Sequence, residues 1–518
     1  MSIEDLKDLN FYVAGAGVSG IAIAKLLKKN SINVFLIEEK TIQDNAKTQL
    51  KELGISFEES FQDSDKLIKN CHILIISPGI LLNNPLILAC KCNNIPVISE
   101  IEAASWFIPK THKIIAVTGT NGKSSTTNYL SQLLNKDYKA VACGNIGISL
   151  SEVILNSNDR NTYVIELSSY QLESTLTLKP FCSIFLNIQN DHLQRYENIS
   201  EYLKAKWRLV LLTDDNGYVI IEKEVLKLAI LHGLSMPKAK IIILDDDTKE
   251  FSEMKKSIIN YSRFYNSKIL PNALYKNLKN LDIYSILLPN QYLAVKAIYF
   301  SNNSLKIQFN SVTGKTTWII KQPCLPGKHN MYNILAASLC GLYLGMSEEQ
   351  ILNQWEETST NYQHLPHRLE KINLKYQTYI DENKYQKNLL IINDSKATNV
   401  ESTLVALKSF NNPIRLLIGG EAKGDSYLPI ADFFGRNVVK IYPFGQAAPQ
   451  IVAELKDFKN YIANTSEKLI IAADLALTEA QDNEIILLSP ACSSFDEFKN
   501  FEHRGNIFRS WALSHLKG

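Results

Sequence analysis

The sequence predicts an α/β protein made of three consecutive α/β domains, and three observations predict it. Short apolar runs alternate with helical patterns along most of the chain. The runs are continuous, as expected of parallel strands covered on both faces. In each of three blocks a strand passes to a helix through a turn rich in Gly, Ser, Thr or Asn. A length of 518 residues agrees, at roughly 150 residues per domain. The expected boundaries are 1–108, 109–361 and 362–518.

In the first block, FYVAGAG, NVFLIEE and HILIISPGI read as strands. Gly15-Ala16-Gly17-Val18-Ser19-Gly20 stands between the first strand and the helical stretch IAIAKLLKKN. That arrangement is Rossmann-like, because a glycine turn lets backbone N–H groups and a helix N-terminus approach a phosphate. Glu38 closes the next strand, 18 residues after Gly20, where an acid commonly meets a ribose hydroxyl. Alone, this block suggests a dinucleotide-dependent oxidoreductase; the plainer alternative is a tight turn without a ligand.

The second block holds the strands KIIAVTGT, YVIEL and CSIFLNI. Between KIIAV and the helical STTNYLSQLL lies Gly119-Thr120-Asn121-Gly122-Lys123-Ser124-Ser125. Small residues let a backbone curl around a β-phosphate, a Lys meets the β/γ charge, and a hydroxyl reaches magnesium. Val117 stands where the common phosphate loop has its first Gly, so this is a shortened GxxGKS loop of a P-loop ATPase-type domain. Glu166 ends YVIEL, and Asp191 and His192 follow SIFLNI, at strand ends where open sheets receive ligands. Taken by itself, His192 reads as a packed turn residue and Lys206 as a solvated helix residue. Residues 211–321 carry no Gly-rich or acidic motif and read as a charge-rich face over extra secondary structure.

The third block holds LLIINDSKATN, IRLLIGGEAKG, VVKIYPFG and EIILLSPACSSF, again Rossmann-like. Its turns, with Gly327-Lys328-His329-Asn330 opening an apolar helix upstream, stand where strands or helix starts receive anions.

Composition narrows the function classes. Hydrophobic residues at 45% and charged ones at 21% exclude a disordered tail or a fibre. With 55 basic and 53 acidic residues the net charge is only +2, so no global basic field exists to hold nucleic acid or an anionic membrane. The eight cysteines form no CxxC, and Cys90-Lys91-Cys92 has no second cluster, which points to buried free thiols rather than zinc. The start MSIEDLKDLN has no apolar signal region, and Pro78, Gly79, Asn83, Asn84 and Pro85 interrupt the most apolar stretch. A cytoplasmic protein without membrane insertion is expected.

TGTNGKSS, ELSSYQLE, NDHLQRY, GKHNMYN, LPHRLE, NDSKATN, GGEAKG and SPACSSFDEFKNFEHRG, in that order, resemble the signatures of the Mur ligases, and among them the D-glutamate-adding members. The resemblance spans nearly the whole chain apart from residues 211–321. The Asp-Asn-Pro signature of the diaminopimelate- and lysine-adding members is absent. Two departures accompany the match. Gln194 stands where the family carries Asp, and the His192-to-Lys206 spacing is one residue short.

The resemblance implies roles. Val18, Ser19, Glu39, Lys40, Ser77 and Asn145 would meet a uridine-nucleotide substrate, UDP-N-acetylmuramoyl-L-alanine, so the first glycine turn would serve UDP rather than NAD. Gly119, Thr120, Asn121, Gly122, Lys123, Ser124 and Ser125 would wrap ATP, with Asn333, Arg368 and Asp394 contacting it. Ser124 or Ser125, Glu166 and His192 would hold Mg2+, two ions in all, and a carbamylated Lys206 would bridge the metal region. Thr398, Lys423, Ser494 and Phe501 would hold D-glutamate. A monomer is implied. The implied activity is ATP-dependent amide ligation through an acyl phosphate. The alternatives are another ligase of the superfamily, such as a folylpolyglutamate synthase, the oxidoreductase above, and a non-catalytic nucleotide-binding protein.

Overall fold

A computed structural model describes residues 3–156, 159–189, 195–245, 292–300, 304–311, 314–321, 328–361, 366–380 and 383–515. The chain forms two compact units, one of residues 1–323 and 331–360, the other of residues 324–330 and 361–518.

The first unit contains two sheets. The N-terminal sheet comprises β1 (Asn10–Ala14), β2 (Asn33–Glu38), β3 (Ser56–Glu59), β4 (Ile73–Ile76) and β5 (Val97–Ser99). All pairs are parallel, in the order β3-β2-β1-β4-β5 of a Rossmann-type half. Phe11, Val13, Leu74 and Ile75 are fully buried, which explains why these strands are apolar without alternation. The helix Val18–Lys29 follows β1 directly, and Gly20 makes that close turn possible: a Cβ there would stand 2.0 Å from the Gly15 carbonyl oxygen.

The second sheet has nine strands: β6 (Lys113–Thr118), β7 (Ala140–Gly144), β8 (Thr162–Glu166), β9 (Cys182–Phe185), β10 (Tyr218–Glu222), β11 (Lys240–Asp245), β12 (Tyr292–Phe300), β13 (Ser304–Ser311) and β14 (Gly314–Lys321). Their order is β14-β13-β12-β11-β10-β9-β6-β8-β7, parallel through β12 and antiparallel beyond it. The segment 211–321 therefore does more than cover a face. It supplies β10 to β14, adding five strands beyond β9 to the four formed by β9, β6, β8 and β7.

One core runs through both sheets, joining Phe11, Val13 and Leu36 of the first to Ala116, Tyr163 and Ile165 of the second. A buried acid reinforces the join. Glu102, on the helix Glu100–Ser105, accepts from the backbone N–H groups of Leu176, Thr177 and Leu178 at 2.9 to 3.2 Å.

The second unit holds β15 (Glu370–Ile380), β16 (Asn383–Asn393), β17 (Ile414–Gly419), β18 (Val438–Phe444) and β19 (Ile485–Leu488). The order is β15-β16-β19-β17-β18, with an antiparallel hairpin on one edge and parallel pairing elsewhere. Among the described residues the cysteines are free thiols, six of them buried and Cys92 exposed. No described helix is long and apolar enough to cross a membrane.

Candidate active site

The phosphate loop leaves the carboxyl end of β6, the strand flanked by β8 and β9. Gly122 adopts φ +84°, and a Cβ there would lie 2.6 Å from Oδ1 of Asn333, so glycine is required twice over. This contact places Asn333, on the helix Lys328–Tyr343, against the loop. The helix Lys123–Tyr138 starts immediately afterwards and aims its N-terminus at the loop.

Two residues not singled out in the sequence hold the loop in shape. Asn187 Oδ1 accepts from the Asn121 N–H (2.8 Å), and Asn187 Nδ2 donates to the Asn121 carbonyl (3.0 Å). Gln189 Oε1 accepts from Asn121 Nδ2 (2.8 Å), and its N–H donates to Thr120 Oγ1 (3.0 Å). Both follow β9, so only the β6–β9 pairing brings them to the loop. Asn-x-Gln directly after an apolar strand was the available signal.

Lys123 folds back over this loop, its Nζ donating to the carbonyls of Gly119 (3.0 Å) and Thr120 (2.7 Å). Lys206 reaches the same place from the helix Ile199–Leu212. Its Nζ donates to the Gly119 carbonyl (2.9 Å) and Thr118 Oγ1 (3.4 Å), and lies 4.8 Å from the centre of the Tyr202 ring. Lys206 is 1% exposed, so it is not the solvated helix residue that its sequence setting suggests.

Glu166 ends β8 opposite Val117 of β6, next to the loop. It is 1% exposed; its Oε1 accepts from Asn145 Nδ2 (2.9 Å), while its Oε2 has no hydrogen-bond partner. Ser125 Oγ is likewise buried and unpartnered, whereas Ser124 is buried with contacts of its own. A buried carboxylate oxygen and a buried hydroxyl without partners, beside a phosphate loop, suit a hard cation that takes oxygen ligands. Among the described residues no three His, Cys, Asp or Glu side chains group as a metal site. His192 lies outside the described residues, as do Asp191 and Gln194. The residues that follow them are firmly anchored: Glu173 accepts from Arg195 Nε (3.2 Å), Arg195 NH2 and Tyr196 OH (2.6 Å).

In the N-terminal part, Glu38 serves the backbone. Its Oε2 accepts from the Ala16 N–H (2.8 Å) and its Oε1 from the Lys40 N–H (3.1 Å), so it clasps the glycine turn instead of awaiting a ribose. Beside it a pocket opens at the carboxyl ends of β1 and β2, lined among others by Gly15, Glu39, Phe61, Ile80, Asn84 and Leu86. Asn84 Nδ2 donates to Glu39. Ser77 Oγ, packed on Gly15, has no partner. Val18 is exposed at the helix start with Ser19 half-buried, and Lys40 is exposed. Asn145, expected near the nucleotide, is the donor to Glu166.

In the second unit, Asp394 follows β16 and is buried. It accepts from the Leu369 N–H (3.2 Å) and from Ser489 Oγ (3.0 Å). Burial pushes its carboxyl up to about 7, against the opposing pull of the Arg368 charge. Arg368 Nε is buried without a partner. Lys423 Nζ donates to Thr398 Oγ1 (3.3 Å). Backbone bonds between Glu421 and Ser493, 3.0 Å each way, bring the GGEAKG turn against the turn that carries Ser494. Phe501 starts the helix Phe501–Ser514, its carbonyl accepting from Ser395 Oγ (2.9 Å). The four expected amino-acid contacts thus lie on three loops and a helix start that touch one another.

The Mur ligase middle domain matches residues 117–270, and the MurD N-terminal domain matches residues 12–84. The UDP-N-acetylmuramoylalanine–D-glutamate ligase of Caldicellulosiruptor bescii is 32% identical over 98% of each chain. That of Elusimicrobium minutum is 32% identical over 96% of each. Among solved structures, the UDP-N-acetylmuramate-alanine ligase MurC of Thermotoga maritima superposes with a TM-score of 0.54 at 16% identity, covering 98% of this chain and 99% of its own. The MurF ligase of Thermotoga maritima in complex with ADP gives 0.52 at 13% identity, covering 93% and 95%.

Proposed function

The chain belongs to the UDP-N-acetylmuramoylalanine–D-glutamate ligase family of ATP-dependent enzymes in peptidoglycan synthesis, and from that membership we propose how its residues divide the reaction. It adds D-glutamate to UDP-N-acetylmuramoyl-L-alanine. Residues 1–108 take the uridine nucleotide, residues 109–361 take ATP, and residues 362–518 take the amino acid. The pocket beside Glu39, with the open helix start at Val18 and Ser19 and with Ser77 and Lys40 nearby, supports the first assignment.

A carboxylate is a poor electrophile, so it must be activated. An oxygen of the L-alanyl carboxylate attacks the γ-phosphorus of ATP, the bond to ADP breaks, and an acyl phosphate forms. The D-glutamate amine, its ammonium proton given up to water, then attacks the acyl carbon; the tetrahedral adduct loses an N–H proton to the departing phosphate as the C–O bond breaks and the amide forms. Gly119 to Gly122 cradle the ATP phosphates with backbone N–H groups, and Lys123 turns from the loop carbonyls to the transferring phosphoryl group. Asn333, Arg368 and Asp394 contact the nucleotide. Lys423, Thr398 and Ser494 hold the D-glutamate carboxylates, and Phe501 covers its methylenes.

Glu166, Ser124 or Ser125 and His192 would hold magnesium, two ions with a carbamylated Lys206, and the bound metal would neutralise charge on the phosphates. The convergence of Lys206 and Lys123 on one carbonyl supports the carbamate, since two neighbouring ammonium groups gain when one becomes an anion.

The observation that carries the site assignment is the buried Glu166 with one oxygen unpartnered, beside a loop over which a lysine is folded. The test is phosphate release from ATP by purified protein given UDP-N-acetylmuramoyl-L-alanine and a panel of amino acids. Release that requires both nucleotide and D-glutamate supports the reading. Release driven by another amino acid, or by a folate acceptor, overturns it.

A further inference from the structure

The second unit contains a buried cation that the roles above leave unassigned. Arg504, on the helix Phe501–Ser514, is 0% exposed. Its guanidinium makes five hydrogen bonds. Nε donates to Ser395 Oγ (3.0 Å), and NH2 to the carbonyls of Ser395 (2.9 Å) and Cys492 (3.2 Å). NH1 donates to the carbonyls of Cys492 (3.2 Å) and Ser493 (3.1 Å). NH1 also lies against Gly420, 3.1 Å from where a Cβ would stand. One planar group thus touches the loops leaving β16, β19 and β17, three adjacent strands.

Every proposed amino-acid contact is close in sequence to one of these anchor points. Thr398 lies three residues after Ser395, Lys423 three after Gly420, Ser494 next to Ser493, and Phe501 three before Arg504. No carboxylate is among the four acceptor atoms of these five bonds; Asp496 and Glu497 act on the charge only through space. Burial pulls the guanidinium down to about 10, so it stays charged at neutral pH. The guanidinium is thus buried with carbonyls and one hydroxyl as its bonded partners and no carboxylate bonded to it.

We propose that Arg504 is a positioning residue of the amino-acid pocket. Its rigid fork fixes the spacing of the three loops, and its charge favours a dianionic side of the substrate. The proposal rests on the assignment of Thr398, Lys423, Ser494 and Phe501 to D-glutamate. Lysine cannot replace it, because a single ammonium has three donors on a flexible stem and cannot span three loops in one plane.

The test is initial-rate kinetics of the full chain carrying Arg504→Lys, with Ser395→Ala and Lys423→Ala alongside. Arg504→Lys should raise the D-glutamate Michaelis constant about tenfold or more, with those of ATP and the uridine nucleotide changed by less than about twofold. Ser395→Ala, which removes one hydroxyl link, should raise the same constant about threefold to tenfold. A purely structural role would lower the amount of active enzyme, hence apparent kcat, and leave the Michaelis constants of the surviving molecules alone. A folded Arg504→Lys enzyme with an unchanged D-glutamate constant, or with all three constants raised alike, overturns the proposal. Should Arg504→Lys fail to fold, an unchanged constant in Ser395→Ala overturns it. If Lys423→Ala raises the D-glutamate constant and Arg504→Lys does not, only the positioning role falls. If Lys423→Ala leaves it unchanged, the pocket assignment falls and the proposal with it.

Discussion

Lys123 and Lys206 donate from two different helices to one oxygen, the Gly119 carbonyl, at 3.0 and 2.9 Å. One lysine opens the helix after the loop and the other comes from the helix Ile199–Leu212. Two like charges share one acceptor, so both gain when an anion arrives. A phosphate chain is such an anion, and a carbamate on Lys206 would be another.

Lys123→Ala should therefore nearly abolish turnover while the fold survives. The side chain is half-buried over a loop whose shape Asn187 and Gln189 maintain independently. Thermal unfolding should shift little, within about ±0.5–1 kcal/mol of stability. A folded variant that keeps most of its ligase activity would remove this loop from the mechanism.

Lys206→Ala should also lose activity, and short-chain carboxylic acids should partly restore it by placing a carboxylate where the carbamate would stand. Bicarbonate depletion should slow the wild-type enzyme and leave the acid-rescued variant unaffected. Failure of both effects would leave Lys206 as a packing residue of the site.

A pH effect on stability follows from Glu100. The carboxyl is buried, its Oε1 accepting from Gln171 Nε2 (2.8 Å) and its Oε2 unpartnered, and burial raises it to about 7. Its folded value lies above its unfolded one, so the unfolded chain releases the proton first as pH rises. Stability is then lost from about pH 4.5 up to about 7 and is constant beyond. Glu100→Gln cannot ionise, so between pH 5 and 8 it should gain on the wild type by about 1–3 kcal/mol in denaturant unfolding. A difference independent of pH would show that Glu100 is not ionising there.

Glu173 ties ELSSYQLE to NDHLQRY through Arg195 and Tyr196, and His192 stands three residues before Arg195. Arg195 also donates to the Ile80 carbonyl (3.4 Å) and stacks 4.1 Å from the Tyr170 ring centre. Glu173→Gln keeps the size but breaks a nearly buried ion pair, and should cost about 1–3 kcal/mol of stability. Loss of this anchor, three residues after His192, should lower kcat about tenfold. Wild-type values for both would separate this cluster from catalysis.

The parts of the fold and site legible in the sequence are those written locally. Gly15 to Gly20 and Gly119 to Ser125 each sit between an apolar strand and a helix, and the structure places both as strand–turn–helix units. Asn187 and Gln189 were not legible, because their partners lie over 60 residues earlier and meet them only through strand pairing. Glu38 was legible as an acid at a strand end, but its acceptors are filled by the Ala16 and Lys40 N–H groups, which depend on how the glycine turn closes. Lys206 looked solvated because a helix offers lysine on any face, and only the packing against Gly119 buries it. The strands of residues 211–321 were obscured by their charge and by the lack of turn motifs, although YVIIE and KIIILD carry the apolar runs of β10 and β11.

Activation of the L-alanyl carboxylate by direct transfer of the γ-phosphoryl group can be tested by one isotope measurement. UDP-N-acetylmuramoyl-L-alanine labelled with oxygen-18 in its carboxylate is turned over with ATP and D-glutamate, and the released phosphate is analysed by mass spectrometry. The acyl-phosphate route predicts one labelled oxygen in each phosphate, delivered only when D-glutamate is converted to product. Unlabelled phosphate accompanying normal amide formation would contradict it.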